Sequence, residues 1–423
     1  MNERLLQFIW QFRYFNQSGL STTDGKPLQI IHPGMLNRNS GPDFSEARIK
    51  IAGTTWVGNI ELHVQASHWY QHKHELDKNY NNVILHVVWI NDKEVLDDIH
   101  QPIATLEMQS LVPKITLQRF EHLMQTADPI PCASALPALS EVSWLSWKER
   151  LIAERLQEKS NLIMHWLKES NNNWEEVFWI SLCRSFGMRV NAEVFEQIAM
   201  TVTVNLLAKH KGQIHQLEAL LLGQAGLLHG EFEETYAIML QKEYNFLSKK
   251  YGLSPVKKQP AFLRMRPSNF PTLRMAQLAM LVYQSNHLFS TIKSANKLNE
   301  FFQWFDVTAN DFWTYHYTLN DAAVYRPKAM GNSFIRHIII NTIVPVLFAY
   351  GVNKNDGAWK DRSLNFLMEI EPEENVITKQ WQAYGVANKN ALESQALIHL
   401  KNNYCDKKLC LDCAVGVKLL RTS

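Results

Sequence analysis

The feature that most constrains this chain is a change of period near residue 128. Before it, short β-like runs alternate with turns; beyond it, apolar residues recur at helical spacing almost to the end. A period of two suits a half-buried sheet and a period of 3.6 an amphipathic helix, so one pattern cannot serve for the other. With 423 residues the chain is also too long for one ordinary core. The expectation is an α/β domain over 1–127, a linker over 128–140 containing Asp128-Pro-Ile-Pro131, and an all-α region over 141–423, divisible into two subdomains.

Within the first part, Leu5, Phe8, Ile9 and Phe12 form one stripe of a helix over 4–15. Strands are expected at 28–31, 47–51, 56–64, 83–89 and 103–108, with the second and third joined as a hairpin through Gly53-Thr54. A helix over 114–126 completes the domain. The helical periods that follow cover 141–170, 174–187, 191–205, 213–223, 233–250, 271–290, 333–350 and 390–402. Gly187, Gly226 and Gly351 stand where helices would take left-handed caps.

Composition excludes some classes. Hydrophobic residues make up 46% and charged residues 20%, with no low-complexity tract, which argues against a disordered scaffold. The N-terminus has charges inside its apolar run and lacks a signal-peptide layout. The apolar run 338–350 is too short to span a bilayer and contains Asn341 and Pro345. A cytoplasmic protein with no membrane partner is expected. Net charge is only +2, but eight basic residues and the single acid Glu243 lie between Lys242 and Arg274.

The chemistry concentrates between Pro42-Asp43 and Glu61-Leu62-His63. Strand alternation puts Glu61, His63 and Gln65 on one face, with Leu62 and Val64 on the other. Asp43 lies at the mouth of the preceding strand, where its carboxylate can converge on Glu61. Two carboxylates, a backbone carbonyl and waters suit Mg²⁺ or Mn²⁺. Five histidines, His63, His68, His72, His74 and His86, fall within 24 residues of one another. They form either a solvated turn or a rim that contacts phosphate or a second metal, and a non-nuclease alternative uses Glu61, His63 and His68 as ligands of a transition metal.

Pro42-Asp43, a spacer of hairpin length and Glu61-x-His63 resemble the PD-(D/E)xK nuclease signature, with His in the lysine's place. The leading helix, the hairpin bearing the acids and the following strand match that family's order. The resemblance implies a restriction-endonuclease-like αβββαβ core. It implies that Asp43 and Glu61 hold the metal, that Leu62 supplies a backbone carbonyl, and that water attacks a phosphodiester. His63, with Gln65 beside it, would position or deprotonate that water, although a His titrates near neutrality and a Lys does not.

Two further stretches add to this. Lys257, Lys258, Arg264, Arg266 and Arg274, interleaved with Phe262 and Phe270, are candidates to contact nucleic acid, DNA more than RNA. Cys405, Cys410 and Cys413 have spacings suited to a structural Zn²⁺ or Fe–S site, with the fourth ligand open among Cys132, Cys183 and His399. Some nucleases of the resembled class carry an iron–sulfur staple of this kind. The stretches GPDFSEARIKI, GNIELHV, RPSNFP and YCDKKLCLDC also resemble an uncharacterised bacterial family (domain of unknown function 2851), which implies the architecture and no activity. The functional expectation is a metal-dependent nuclease. An inactive nucleic-acid-binding protein on the same core and a His/Glu small-molecule metalloenzyme stand as alternatives.

Overall fold

The computed structural model describes residues 1–37, 39–133, 136 and 139–421. Two compact units divide the chain: Met1–Trp147 with Leu400–Ser423, and Lys148–His399. This differs from the expected division. The last 24 residues belong to the first unit, and the long helix Glu141–Glu169 begins where the helical region is expected to begin but has its first residues, to Trp147, in the first unit. Part of the expected linker lies outside the described residues, while Ile130 and Cys132 beside it are buried.

The first unit is a mixed sheet with a helix leading into it. Helix α1 (Glu3–Phe12) starts at Asn2, whose side chain accepts from the Leu5 N–H, and stops at Arg13 in the left-handed conformation. Leu5, Leu6, Phe8, Ile9 and Trp10 are buried, each contributing about 1.5–3 kcal/mol by leaving water. Strands β1 (Leu28–His32), β2 (Met35–Leu36), β3 (Phe44–Ile51), β4 (Thr54–Gln65), β5 (Val83–Ile90) and β6 (Thr105–Glu107) follow. The order across the sheet is β1-β3-β4-β5-β6, with β2 also on β3. The expected hairpin is present as β3–β4, turning through Ala52 and Gly53, both with positive φ.

β4 and β5 pair in parallel, and parallel neighbours cannot be joined by a tight turn. The connection therefore crosses the sheet. It contains the short helix α2 (His68–Gln71) and two single 3₁₀ turns, His74–Leu76 and Lys78–Tyr80. Asp92 fixes its start by accepting from the Ser67 N–H at 2.9 Å and the Ser67 hydroxyl at 2.6 Å. Ala66, Trp69, Val88 and Val95 form a small core beneath it. Helix α3 (Lys114–Gln125) and the C-terminal helix Ala414–Arg421 pack together in the same unit.

The second unit is all-α among its described residues, around one large apolar core. The expected helix 191–205 is two helices, Met188–Thr201 and Val204–His210, because Thr203 caps the second through the Leu206 N–H. The expected 271–290 helix ends at Gln284. Of the three expected left-handed caps only Gly226 has a positive φ, at 73°. Gly187 and Gly351 serve close packing instead. A Cβ at Gly187 would lie 2.4 Å from the Asn191 carbonyl oxygen, and one at Gly351 would lie 2.9 Å from the Trp359 Cβ. The apolar run 338–350 belongs to a longer helical stretch, Asn332–Lys354, whose 23 residues reach spanning length and apolarity; 67% of its most apolar window is buried. A π-helical segment, Ile339–Ile343, interrupts it.

Candidate metal centre

β4 is buried from Ile60 to His63. In its parallel register Glu61 lies beside His86 and His63 beside Val88. Paired residues share a face, so Glu61, His63 and His86 point the same way, toward the crossover. Gln65 follows on that face, paired with Ile90 and half-buried.

Asp43 precedes β3 at the end of a loop shaped by Asn37, whose amide donates to the Pro42 carbonyl at 3.0 Å. Gly41 takes φ 101° there, a value that L side chains resist. Asp43 and Glu61 are interlocked. The Asp43 N–H donates to Glu61 Oε2 at 2.9 Å, and the Leu62 N–H donates to Asp43 Oδ2 at 3.0 Å. Gln7 of α1 donates to Asp43 Oδ1 at 2.7 Å. The N–H and C=O of one strand residue face the same edge, so the Leu62 carbonyl lies on the Asp43 side.

The other oxygen of Glu61 faces the histidines. Glu61 Oε1 is 3.6 Å from His63 Nε2 and 3.5 Å from His74 Nε2. His63 Nε2 is 3.1 Å from His72 Nδ1, and one ring nitrogen from each of His63, His72 and His74 lies within 4.8 Å of the others. Lys73, with φ 61°, turns the chain so that His72 and His74 both reach the site. His63 Nδ1 lies 2.8 Å from His86 Nε2, which fixes its ring. His74 stacks on Tyr80 at 3.8 Å between centroids. His68 turns aside to Glu3, 3.7 Å away.

Electrostatics explains why these contacts are not ion pairs. Burial, then the neighbouring Asp43 charge, pushes Glu61 up to about 9. Burial raises Asp43 to about 6 against the hydrogen bond from Leu62. Burial and the other imidazoles depress His63 to about 2, His86 to about 3 and His74 to about 4. His63 is thus neutral and cannot supply a lysine's permanent charge. What remains is a protonated carboxyl facing neutral imidazoles, with His74 Nε2 buried and without a hydrogen bond. A divalent cation suits such a set, because it stabilises the carboxylate and accepts the imidazole lone pairs.

The geometry fits as well. Bonds of about 2.1 Å to one ion put neighbouring donor atoms about 3.0 Å apart in octahedral and about 3.4 Å apart in tetrahedral coordination. Three donor–donor distances are of this size: 3.1 Å for His63–His72, and 3.5 and 3.6 Å from Glu61 to His74 and His63. A cleft of about 460 Å³ in the same unit is lined by Glu3, Arg4, Gln7, Asn37 and Asp412 among others, and so includes Gln7, which holds Asp43.

With this geometry in place, comparison with known proteins adds one result: a family model matches residues 3–376. The chain belongs to that family, described as Protein of unknown function (DUF2851). No curated protein and no solved structure matches it. In this DUF2851 chain, the expected acids Asp43 and Glu61 and the adjacent His63 come together. His72, His74 and His86, expected in a solvated turn or a rim, join them, while His68, the expected third ligand of the transition-metal alternative, turns to Glu3. The available signal was the density of histidines in a segment that has to cross the sheet.

The basic residues of the helical unit separate into two kinds. Lys257, Lys258, Arg264 and Arg266 are exposed, and Lys258 pairs with Glu193 at 2.8 Å. Arg274 is buried, which corrects its expected role as a phosphate contact. Its guanidinium donates to Gln277 Oε1 at 2.8 Å and Asn269 Oδ1 at 2.6 Å, and lies 3.4 Å over the Phe334 ring. An arginine committed in this way holds the helix Pro271–Gln284 in place.

Proposed function

We propose that this chain is a metal-dependent hydrolase of phosphodiester bonds in nucleic acid, DNA more than RNA. Glu61, His63, His72 and His74 hold a divalent transition ion, and Asp43 holds Glu61. The observation that carries the reading is the convergence of one ring nitrogen each from His63, His72 and His74 within 4.8 Å of one another, with Glu61 Oε1 3.6 and 3.5 Å from His63 and His74 and with His74 Nε2 buried and without a hydrogen bond. Further support comes from the order of elements: a helix, an antiparallel hairpin bearing the acids, and a parallel strand after a crossover. This order is the one expected of a restriction-endonuclease-like core.

The donor set narrows the ion. Carboxylates and carbonyls alone suit Mg²⁺, and imidazoles shift preference toward Mn²⁺ and Zn²⁺. Four protein ligands fill a tetrahedral Zn²⁺ and leave no place for substrate. A six-coordinate ion such as Mn²⁺ keeps two positions open. When bound, it would lower the pKa of a coordinated water and draw charge from a phosphoryl oxygen. The protein's share is to hold Glu61 through Asp43 and to orient His63 through His86; Arg4, in the cleft, is paired with Asp412 and would have to exchange that partner for a phosphate. The exposed Lys257, Lys258, Arg264 and Arg266 supply sequence-independent phosphate contacts in this reading.

The test uses chelated full-length protein with Mn²⁺, Mg²⁺ or Zn²⁺ on labelled single-stranded and duplex DNA and RNA. Cleavage with Mn²⁺ that is absent from Glu61→Gln is expected; equal product from both proteins would sink the assignment. The histidine-rich donor set also suits a small-molecule metalloenzyme. Tightly retained iron with no nucleic-acid product would select that second reading, and salt-sensitive binding without product would select an inactive binder.

A further inference from the structure

We infer that the helical unit carries a ligand site of its own, where Arg155, Asn341 and His337, with Lys159 beside them, receive the phosphate group of a small molecule. All four residues belong to the unit Lys148–His399, so the site is separate from the metal centre in the sheet. Arg155 lies on the helix Glu141–Glu169, and His337 and Asn341 lie on the helical stretch Asn332–Lys354.

Two hydrogen-bond donors in this cluster are buried and unpartnered. A guanidinium taken out of water needs a counter-charge or a full set of acceptors. Arg155 is 8% exposed. Its Nη2 donates to Asn341 Oδ1 at 3.1 Å, while its Nη1 is buried with no hydrogen bond. Among the described residues it forms no ion pair, and Glu373 and the exposed Glu158 attract it from farther off. Burial raises the Glu373 carboxyl above its usual range, and Gln395 donates to it. The second donor follows from the amide. An arginine only donates, so Asn341 turns Oδ1 to Arg155 and Nδ2 to His337. There Nδ2 donates to the ring Nδ1 at 3.2 Å and to the backbone carbonyl at 3.1 Å. Burial lowers the pKa of this ring. With Nδ1 accepting, the neutral ring carries its hydrogen on Nε2, which is buried without a partner. The Ser185 carbonyl draws on the ring but completes no hydrogen bond with Nε2.

Local structure holds these donors in place. Asn341 is the middle residue of the π-helical segment Ile339–Ile343, where the Val344 N–H donates to the Ile339 carbonyl, five residues back. Single π turns inside α-helices are frequent at functional sites, and the extra residue re-aims the side chains around it. Phe334 lies nearly parallel to the His337 ring, with 5.8 Å between centroids and 13° between planes. Lys159 follows Arg155 by one helical turn on the same face and is half-buried. Burial, then the Arg155 and Arg184 charges, press it down to about 8. The groups that meet here are donors and cations, short of acceptors and of negative charge. Water satisfies a donor but leaves the charge uncompensated, whereas an oxyanion does both. Arg155 and Lys159 together favour a dianion over a carboxylate, and a phosphate monoester carries about −1.5 to −2 at pH 7. Entry is past the half-buried side chains of Lys159 and His337. Because Nη1 and Nε2 lie beneath the surface, that approach admits a small phosphate and not a nucleic-acid backbone.

The probes are inorganic phosphate and glycerol phosphate, offered to the metal-free full chain at constant ionic strength against chloride and read by calorimetry and by the rise in Tm. Saturable binding of one or both is expected. Tighter glycerol phosphate assigns a phosphate ester, and tighter inorganic phosphate assigns the free ion. Lys159→Gln and His337→Phe leave the Arg155–Asn341 contact in place and should each weaken binding about ten-fold. Arg264→Ala, on the surface, should leave it unchanged. The proposal is overturned if neither phosphate binds more tightly than chloride, the result expected of donors that hold water alone. It is overturned as well if folded Lys159→Gln and His337→Phe bind as wild type does, or if an oligonucleotide with internal phosphodiesters only competes as well as phosphate does.

Discussion

Each unit buries one glutamate deeply, and the two are buried for different ends. Glu61 in the sheet is 5% exposed and Glu218 in the helical unit 0%. Burial lifts both far above the usual carboxyl range, to about 9 and about 8. Glu218 is saturated by neutral donors: Trp313 Nε1 at 3.1 Å, the Tyr236 hydroxyl at 2.9 Å and the Asn310 amide. Glu61 accepts one backbone N–H, and its other oxygen faces two ring nitrogens at 3.5 and 3.6 Å. A raised pKa therefore does not identify a site by itself. Unspent donor atoms converging on the carboxylate do, and only Glu61 has them.

The widest separation between the two is expected in activity. Glu61→Gln keeps the shape and removes the anionic ligand, so Mn²⁺-dependent cleavage should fall about 10³-fold, comparable to losing a transition-state charge contact. Glu218→Gln should stay within about two-fold of wild type, since it touches no reacting group. Initial rates on one oligonucleotide compare them directly, and similar losses in both would erase the distinction.

Thermal stability against pH sharpens it next. Both glutamates have folded pKa values raised above the ordinary 4.5, so their contribution is full below pH 4.5 and is lost as pH rises through 8 to 9. His63, His74 and His86 are depressed from 6.5, so theirs is present above 6.5 and lost as pH falls. Mn²⁺ requires Glu61 ionised and the imidazoles neutral, so the rise in Tm it produces should grow between pH 5 and 8. Glu61→Gln should abolish that increment and Glu218→Gln should preserve it. Equal increments in the two variants would place the ion elsewhere.

How far the sequence discloses these differences depends on the scale of the interaction. Period-two alternation in β3 and β4 and the turn at Gly53 locate the hairpin, and with it Asp43 and Glu61. The histidines that complete the site come from a crossover, and its path follows from the parallel pairing of β4 with β5, a non-local fact. Arg274 shows the opposite failure. Its neighbours Arg264 and Arg266 are exposed, so composition alone made all three look alike, and only tertiary packing put one under Phe334.

His86 offers a smaller and more selective effect. It touches His63 Nδ1 at 2.8 Å and lies outside the donor set around Glu61 Oε1. Removing an outer hydrogen-bond partner of a ligating imidazole typically costs 10–100-fold in metal affinity. His86→Phe should weaken Mn²⁺ binding by about that factor, measured by calorimetry, while activity recovers at saturating Mn²⁺. Loss that saturating metal does not rescue would mean His86 supports the fold of the sheet and not the ion.

The smallest expected effects lie on the helical unit's surface, where they separate exposed arginines from the buried one. Arg264→Ala and Arg266→Ala each remove one phosphate contact in the proposed reading. Each should weaken DNA binding by a few-fold and lower the slope of log affinity against log salt by about one. Their thermal stability should stay within about 0.5 kcal/mol of wild type, as for exposed positions generally. Arg274→Met should behave in the reverse sense. It leaves Gln277 and Asn269 without their donor, a loss of about 1–3 kcal/mol, and leaves the salt slope unchanged. Fluorescence anisotropy over a salt series, paired with thermal melts, reads both quantities. If Arg274→Met alone changed the salt slope, the buried guanidinium would be the anion contact and the two exposed arginines would not.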